Sequence, residues 1–191
     1  MGTTAAPSHA ADRWLMRYYT VRALFSAAWV ILAVTADRSP SPIAVALIIA
    51  YPLWDCIANY VDASRTGGLR ANPTQLLNTV VSGAVTLAVI LAVPHGFHPV
   101  VAVIGVWATL AGVLQLATAI RRWRTADAQW PMILSGAQSG LAGVFMVRRA
   151  ADASLTLSVA AIAPYAAFGA LYFAISAVVL AVRRRRSGRA G

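Results

Sequence analysis

Residues 99–120 read PVVAVIGVWATLAGVLQLATAI, an unbroken run without a charged side chain. At about 1.5 Å of rise per residue, a helix of that length matches the roughly 30 Å hydrocarbon core of a bilayer. The same template, about 20 mainly apolar residues, fits five further stretches, at 14–36, 42–63, 75–94, 130–147 and 156–182. The whole chain follows this pattern. Of its 191 residues, 59% are hydrophobic and 12% charged, against roughly 25% charged in an ordinary soluble domain. Lys and Glu, common on solvent-facing helices, are absent. A conventional soluble protein is excluded, and the expected fold class is all-α: a polytopic membrane protein with six transmembrane helices.

The remaining sequence is short. Residues 1–13 form a polar N-terminal segment, 14–182 the six-helix domain and 183–191 a basic tail, so any site must lie between helices or in short loops. The start lacks the basic region and short apolar core of a cleaved signal, and Ala6 stands where myristoylation needs Ser or Thr. The first helix is therefore expected to remain as an anchor. The single cysteine, Cys56, allows no intrachain disulfide.

Arginine placement sets the expected orientation. Arg13 and Arg17 precede the first helix, Arg65 and Arg70 follow the second, Arg121, Arg122 and Arg124 follow the fourth, and Arg183, Arg184, Arg185, Arg186 and Arg189 close the chain. The opposite side receives only Arg38, Arg148 and Arg149. Positive charge stays cytoplasmic, so both termini are expected in the cytoplasm. The net charge of +10 then reflects topology rather than nucleic-acid binding, since no folded basic module or aromatic stacking platform accompanies it.

An internal repeat runs through the helices. The odd helices carry Arg22-Ala23, Ser82-Gly83 and Ser135-Gly136, and the even ones Asp55-Cys56, Ala111-Gly112 and Phe168-Gly169. Within successive pairs the second positions are 33, 29 and 33 residues apart, which suggests three copies of a two-helix hairpin. The string VILAV recurs at 30–34 and 89–93.

These motifs resemble the HdeD-like family, bacterial multi-pass membrane proteins built from short repeats and named for an acid-resistance member. Ser135-Gly136-Ala137-Gln138-Ser139-Gly140-Leu141-Ala142-Gly143 resembles its serine-glycine stretch with a second glycine seven residues on, preceded by Trp130 at the aromatic position. Arg22-Ala23-Leu24-Phe25 is similar to its arginine-glycine stretch, and Tyr51 with Asp55-Cys56 to its tyrosine followed by aspartate-glycine. Ala23 and Cys56 stand where the family has glycine. The resemblance runs from about Trp14 to the sixth helix and implies a six-helix inner-membrane protein with a stress role, such as acid resistance. It carries no enzymatic activity or cofactor.

Two ionisable side chains lie within spans, where each costs about 2.5–3.5 kcal/mol on insertion scales. Arg22 and Asp55 sit at similar depth from the same boundary, so antiparallel neighbours would bring them level, with Arg17 near Tyr60 and Asp62. One reading is an internal ion pair that fixes the first hairpin. Another is a proton or ion relay of Asp55, Tyr51, Asn59 and Tyr60, assisted by the helix-distorting Pro52. Arg22 can also snorkel towards the interface. Asn78, Gln115 and Gln138 are candidates for hydrogen bonds between helices.

Gly136 and Gly140 form a GxxxG pair, and Ser139 with Gly143 repeats the spacing, a groove for close helix packing within the chain or for a homodimer through the fifth helix. His95 and His98 lie three apart in a turn. They lack a third ligand for a metal site, although a response near pH 6 is chemically available. Arg183, Arg184, Arg185 and Arg186 are expected to anchor the tail at anionic headgroups. Walker, GxSxG, HExxH and CxxC patterns are missing from the sequence. The expectation is a non-enzymatic structural or stress-protective membrane component without cofactor or metal. The alternative is a small proton-coupled transporter or channel subunit that uses Asp55.

Overall fold

The computed structural model describes residues 9–36, 41–122 and 130–187, which form six α-helices and no strand. They are α1 (His9–Thr35), α2 (Pro42–Arg65), α3 (Pro73–Ala92), α4 (Phe97–Arg122), α5 (Trp130–Ala151) and α6 (Ala163–Ser187). Single 3-10 turns stand at Leu69–Ala71, Val93–His95 and Val159–Ile162. Among the described residues, five stretches are long and apolar enough to cross a membrane: Arg13–Thr35, Pro42–Arg65, Pro73–His95, Phe97–Ala117 and Val159–Arg186. Together they describe a multi-pass membrane protein. The sixth expected span falls on α5, which carries Ser135, Gln138 and Ser139 and ends with Arg148 and Arg149.

Local chemistry accounts for the helix ends. Ser41 caps α2, its hydroxyl accepting from the Ala44 amide at 3.1 Å, and Pro42 occupies the first turn, where a missing N–H costs nothing. Gly68 (φ 88°) and Gly96 (φ 92°) take the left-handed backbone that the α2–α3 and α3–α4 turns require. Some boundaries differ from those expected. α1 begins at His9 rather than 14, and α5 runs on through Arg148 and Arg149, because polar residues and arginine continue a helix beyond its apolar run. The residues from Val159 form a 3-10 turn, and α6 starts at Ala163 rather than 156.

The chain divides into two compact units, Trp29–Tyr165 and Met1–Ala28 with Ala166–Gly191. In the larger unit, α4 packs most closely on α5 and α2 on α3, with α3 also touching α4. Its core is made of branched aliphatics: Ile48, Val89, Val100, Val101, Ile104, Val159 and Ile162 are fully enclosed. Large apolar side chains also cover the outside, with Leu91 73% and Leu141 72% exposed. Such a surface is unfavourable in water and suited to lipid tails.

The α4–α5 contact is backbone against backbone. A Cβ on Gly112 would meet the Gly136 carbonyl oxygen at 2.5 Å and clash with the Gly140 amide. One on Gly105 would meet the Gly143 oxygen at 2.9 Å, and one on Gly143 would stand 2.5 Å from the Gly105 oxygen and clash with the Thr109 amide. Gly105 with Gly112, and Gly136 with Gly143, are each seven residues apart, a spacing that keeps one face towards an antiparallel neighbour over two turns. Gly136 and Gly140, the four-residue pair, both lie against Gly112. A Cβ on Gly140 would meet nothing within 4 Å; its backbone lines the floor for Gly112, but its own missing side chain is not what permits the approach. The Ser139 hydroxyl donates across the same seam to the Ala108 carbonyl at 3.1 Å.

Candidate functional site

The polar side chains of the larger unit gather along the α2–α3 seam. On α2, Asp55, Asn59 and Asp62 occupy positions i, i+4 and i+7; on α3, Gln75, Thr79, Ser82 and Thr86 occupy i, i+4, i+7 and i+11. Each set forms one stripe along its helix. The antiparallel pairing joins them at two levels. Ser82 donates its hydroxyl proton to Asp55 Oδ2 at 2.7 Å, and Gln75 donates through Nε2 to Asp62 Oδ2 at 3.2 Å. Asn59 lies between, its amide nitrogen 2.8 Å from the Asp55 carbonyl oxygen and 3.1 Å from Asp55 Oδ2. Asn59, Asp62 and Ser82 are 7%, 6% and 1% exposed, so burial is matched by hydrogen bonding, as a low-dielectric interior demands.

The seam closes at the α2–α3 turn. Asn72 donates through its amide nitrogen to the Thr66 and Gly68 carbonyls, each at 2.9 Å. Thr66, Thr79 and Thr86 return their hydroxyls to the carbonyl four residues earlier, a habit of hydroxyl residues in apolar helices that leaves no orphan proton. Cys56 stands beside the seam, and a Cβ on Gly83 would lie 3.6 Å from its Sγ. The small positions of the repeat thus meet in space, Cys56 with Gly83 and Gly112 with Gly136. Cys56 is accommodated where the resemblance expects glycine.

Tyr51 belongs to a different assembly. Its ring packs on Trp29 at 4.8 Å and makes edge contacts with Trp107 at 6.2 Å and Tyr165 at 6.3 Å, while Trp107 and Tyr165 stand 6.3 Å apart. Edge-to-face geometry at these distances is favourable aromatic packing. The Trp29 indole donates to the Leu47 carbonyl at 2.7 Å, one residue before Ile48, whose carbonyl loses its helical donor to Pro52. Tyr60 is 51% exposed, away from the buried stripe. Of the expected relay, Asp55 and Asn59 come together, Tyr51 joins the aromatic cluster and Tyr60 faces outward.

Arg22 lies in the smaller unit. Its Nη1 donates to the Tyr18 hydroxyl at 2.7 Å, and its guanidinium carbon stands 4.3 Å from the Phe173 ring centroid, a cation–π contact. Phe173 in turn stacks on Tyr19 at 6.2 Å. The side chain therefore reaches back one turn towards the start of α1, the direction in which helical side chains lean. Arg22 and Asp55 fall in different units.

Arg184, Arg185 and Arg186 are exposed on the last turns of α6, and the Arg183 side chain lies outside the described residues. Among the described residues no cluster of three His, Cys, Asp or Glu forms a metal site. Asn78 is exposed; Gln75, Ser82 and Ser139 are among the described side chains that do bond between helices. Sequence reasoning missed Gln75 and read Ser82 and Ser139 only as small residues, although the recurrence of hydroxyl and amide residues at 75, 79, 82 and 86 was a readable signal. Trp29, Trp107 and Tyr165 had none, because an aromatic in an apolar run is indistinguishable from one facing lipid.

At the other end of the larger unit, in the turn after α5, Asp152 Oδ1 accepts from the Ser154 hydroxyl at 2.6 Å and its amide at 3.0 Å. These bonds, hydroxyl first, hold the Asp152 carboxyl below its usual range; slight desolvation opposes them and His98 adds attraction.

No curated protein and no solved structure matches the chain. Residues 78–148, from α3 through most of α5, do match a family described as a short repeat of unknown function, DUF308. The interlocked glycines of α4 and α5 fall within that match.

Proposed function

We propose that this protein is a non-enzymatic component of the bacterial inner membrane, structural or stress-protective, with six spanning helices arranged as three repeated hairpins and both termini in the cytoplasm. The observation that carries this reading is the state of the carboxylates in the α2–α3 seam. Asp55 accepts from Ser82 and Asn59, and Asp62 from Gln75, so the polar groups fasten two helices together. The α4–α5 glycine contact supports the same conclusion, since a backbone interlock favours rigidity over a moving gate. Arg22 is held within its own unit by Tyr18 and Phe173, and Arg184 to Arg186 hold anionic headgroups, at about 1 kcal/mol each. A second copy associating through α5 would have to use the side opposite α4, because Gly112 and Gly105 already occupy the Gly136 and Gly143 side.

One observation favours a proton-coupled transporter or channel subunit as a second reading: two carboxylates, Asp55 and Asp62, share a helix face with Asn59 between them. Ion flux through purified protein in liposomes separates the two. The structural reading expects no flux above empty liposomes under proton or sodium gradients, and a deletion strain that loses acid survival. Flux abolished by Asp55→Asn would overturn it in favour of transport.

A further inference from the structure

His98, in the first turn of α4, has a carbonyl oxygen on each side of its ring. Nδ1 stands 3.0 Å from the Ala150 oxygen and Nε2 3.0 Å from the Leu155 oxygen. A carbonyl only accepts, and a neutral imidazole carries a single N–H; the imidazolium carries two. The two contacts are therefore both hydrogen bonds only when the ring holds two protons. Ala150 lies in the last turn of α5 and Leu155 in the turn beyond it, so the ring bridges helix and turn.

We propose that His98 is a protonation-dependent clasp that fastens the segment after α5 to the start of α4. As an imidazolium it holds both carbonyls; as the neutral ring it keeps one and releases the other, and the turn loosens. The charged and titratable groups around it fit this assignment. On its own side of the bundle His95 is exposed in the preceding turn. On α5, Arg148 is exposed, and Arg149 turns its guanidinium over Phe145 at 5.8 Å. In the turn itself Asp152 attracts the imidazolium, and its bonds to Ser154 hold its carboxyl below the usual carboxylate range. The turn is thus held most firmly while Asp152 is ionised and His98 carries two protons.

Amide hydrogen exchange of the full chain in lipid nanodiscs tests the clasp, with rates expressed as protection factors to remove the intrinsic pH dependence. The Asp152 and Leu155 amides, which donate to Arg149 and Asp152 carbonyls at 3.2 Å, should be about tenfold better protected at pH 5.5 than at pH 7.5, the worth of one charge-assisted bond. His98→Gln should remove that difference, and His95→Gln should leave it intact. Equal protection at both pH values in the native chain, or a difference that survives His98→Gln, overturns the proposal. Nitrogen NMR of histidine-labelled native protein provides the check that needs no variant. Two protonated His98 nitrogens at pH 5.5 support the clasp, and one overturns it.

Discussion

A Cβ built on Gly112 of α4 would stand 2.5 Å from the carbonyl oxygen of Gly136 on α5, so the two helices meet through their backbones. In lipid this matters more than it would in water, because tails solvate leucine as well as a neighbouring helix does and association depends on close packing. Gly112→Ala should therefore cost about 1–3 kcal/mol, the usual range for overpacking. Gly140→Ala, where a methyl meets open space, should stay within about 0.5 kcal/mol. Unfolding titrations in mixed micelles compare the two. Equal losses would place the contact elsewhere.

The α2–α3 seam predicts a smaller effect with a clear partner. Ser82→Ala removes the bond to Asp55 and should lower stability by about 1 kcal/mol, near the mean for hydrogen bonds between membrane helices. A double-mutant cycle with Asp55→Asn should return a non-zero coupling, and additivity of the two changes would show that the bond contributes nothing.

Arg22→Met should cost about 1–3 kcal/mol, because the Tyr18 hydroxyl loses its guanidinium donor and the Phe173 ring its cation. Unfolding titrations in mixed micelles give the loss, and an unchanged midpoint would show that these two contacts contribute nothing.

Asp152 gives a pH prediction in the opposite sense to that of His98. Its carboxyl is held below the usual carboxylate range by Ser154, so the stabilisation it brings to the turn is present above that usual range and is lost as pH falls through the lowered value. Ser154→Ala should move the Asp152 titration upward towards an ordinary aspartate, as followed by carbon NMR of the carboxyl. An unmoved titration would assign the shift to another group.

Reporter fusions at both termini should give cytoplasmic signals and one inserted between Pro94 and Gly96 the opposite, as the arginine distribution requires.

The candidate site was only partly legible. Asp55 was visible because a carboxylate inside an apolar run is costly unless it is partnered, and Asn59 followed at helical spacing. Tyr60 shared that spacing argument with Asn59 yet turned outward, since neighbours in sequence project about 100° apart on a helix and only one of them can enter the seam. Gly112, Gly136 and Gly143 were readable as small residues, whereas Gly105 was passed over because no single helix reveals which of its faces is covered.

Hydropathy, helix number and arginine asymmetry come from the chain itself, because transfer to hydrocarbon is a property of each residue summed along a segment and needs no knowledge of neighbours. Which helix lies against which, whether glycines work in fours or sevens, and which carbonyls close around His98 were decided only on folding. Those outcomes depend on distances between segments far apart in sequence, and apolar helices of similar composition leave many pairings open until backbone contact and buried hydrogen bonds select one.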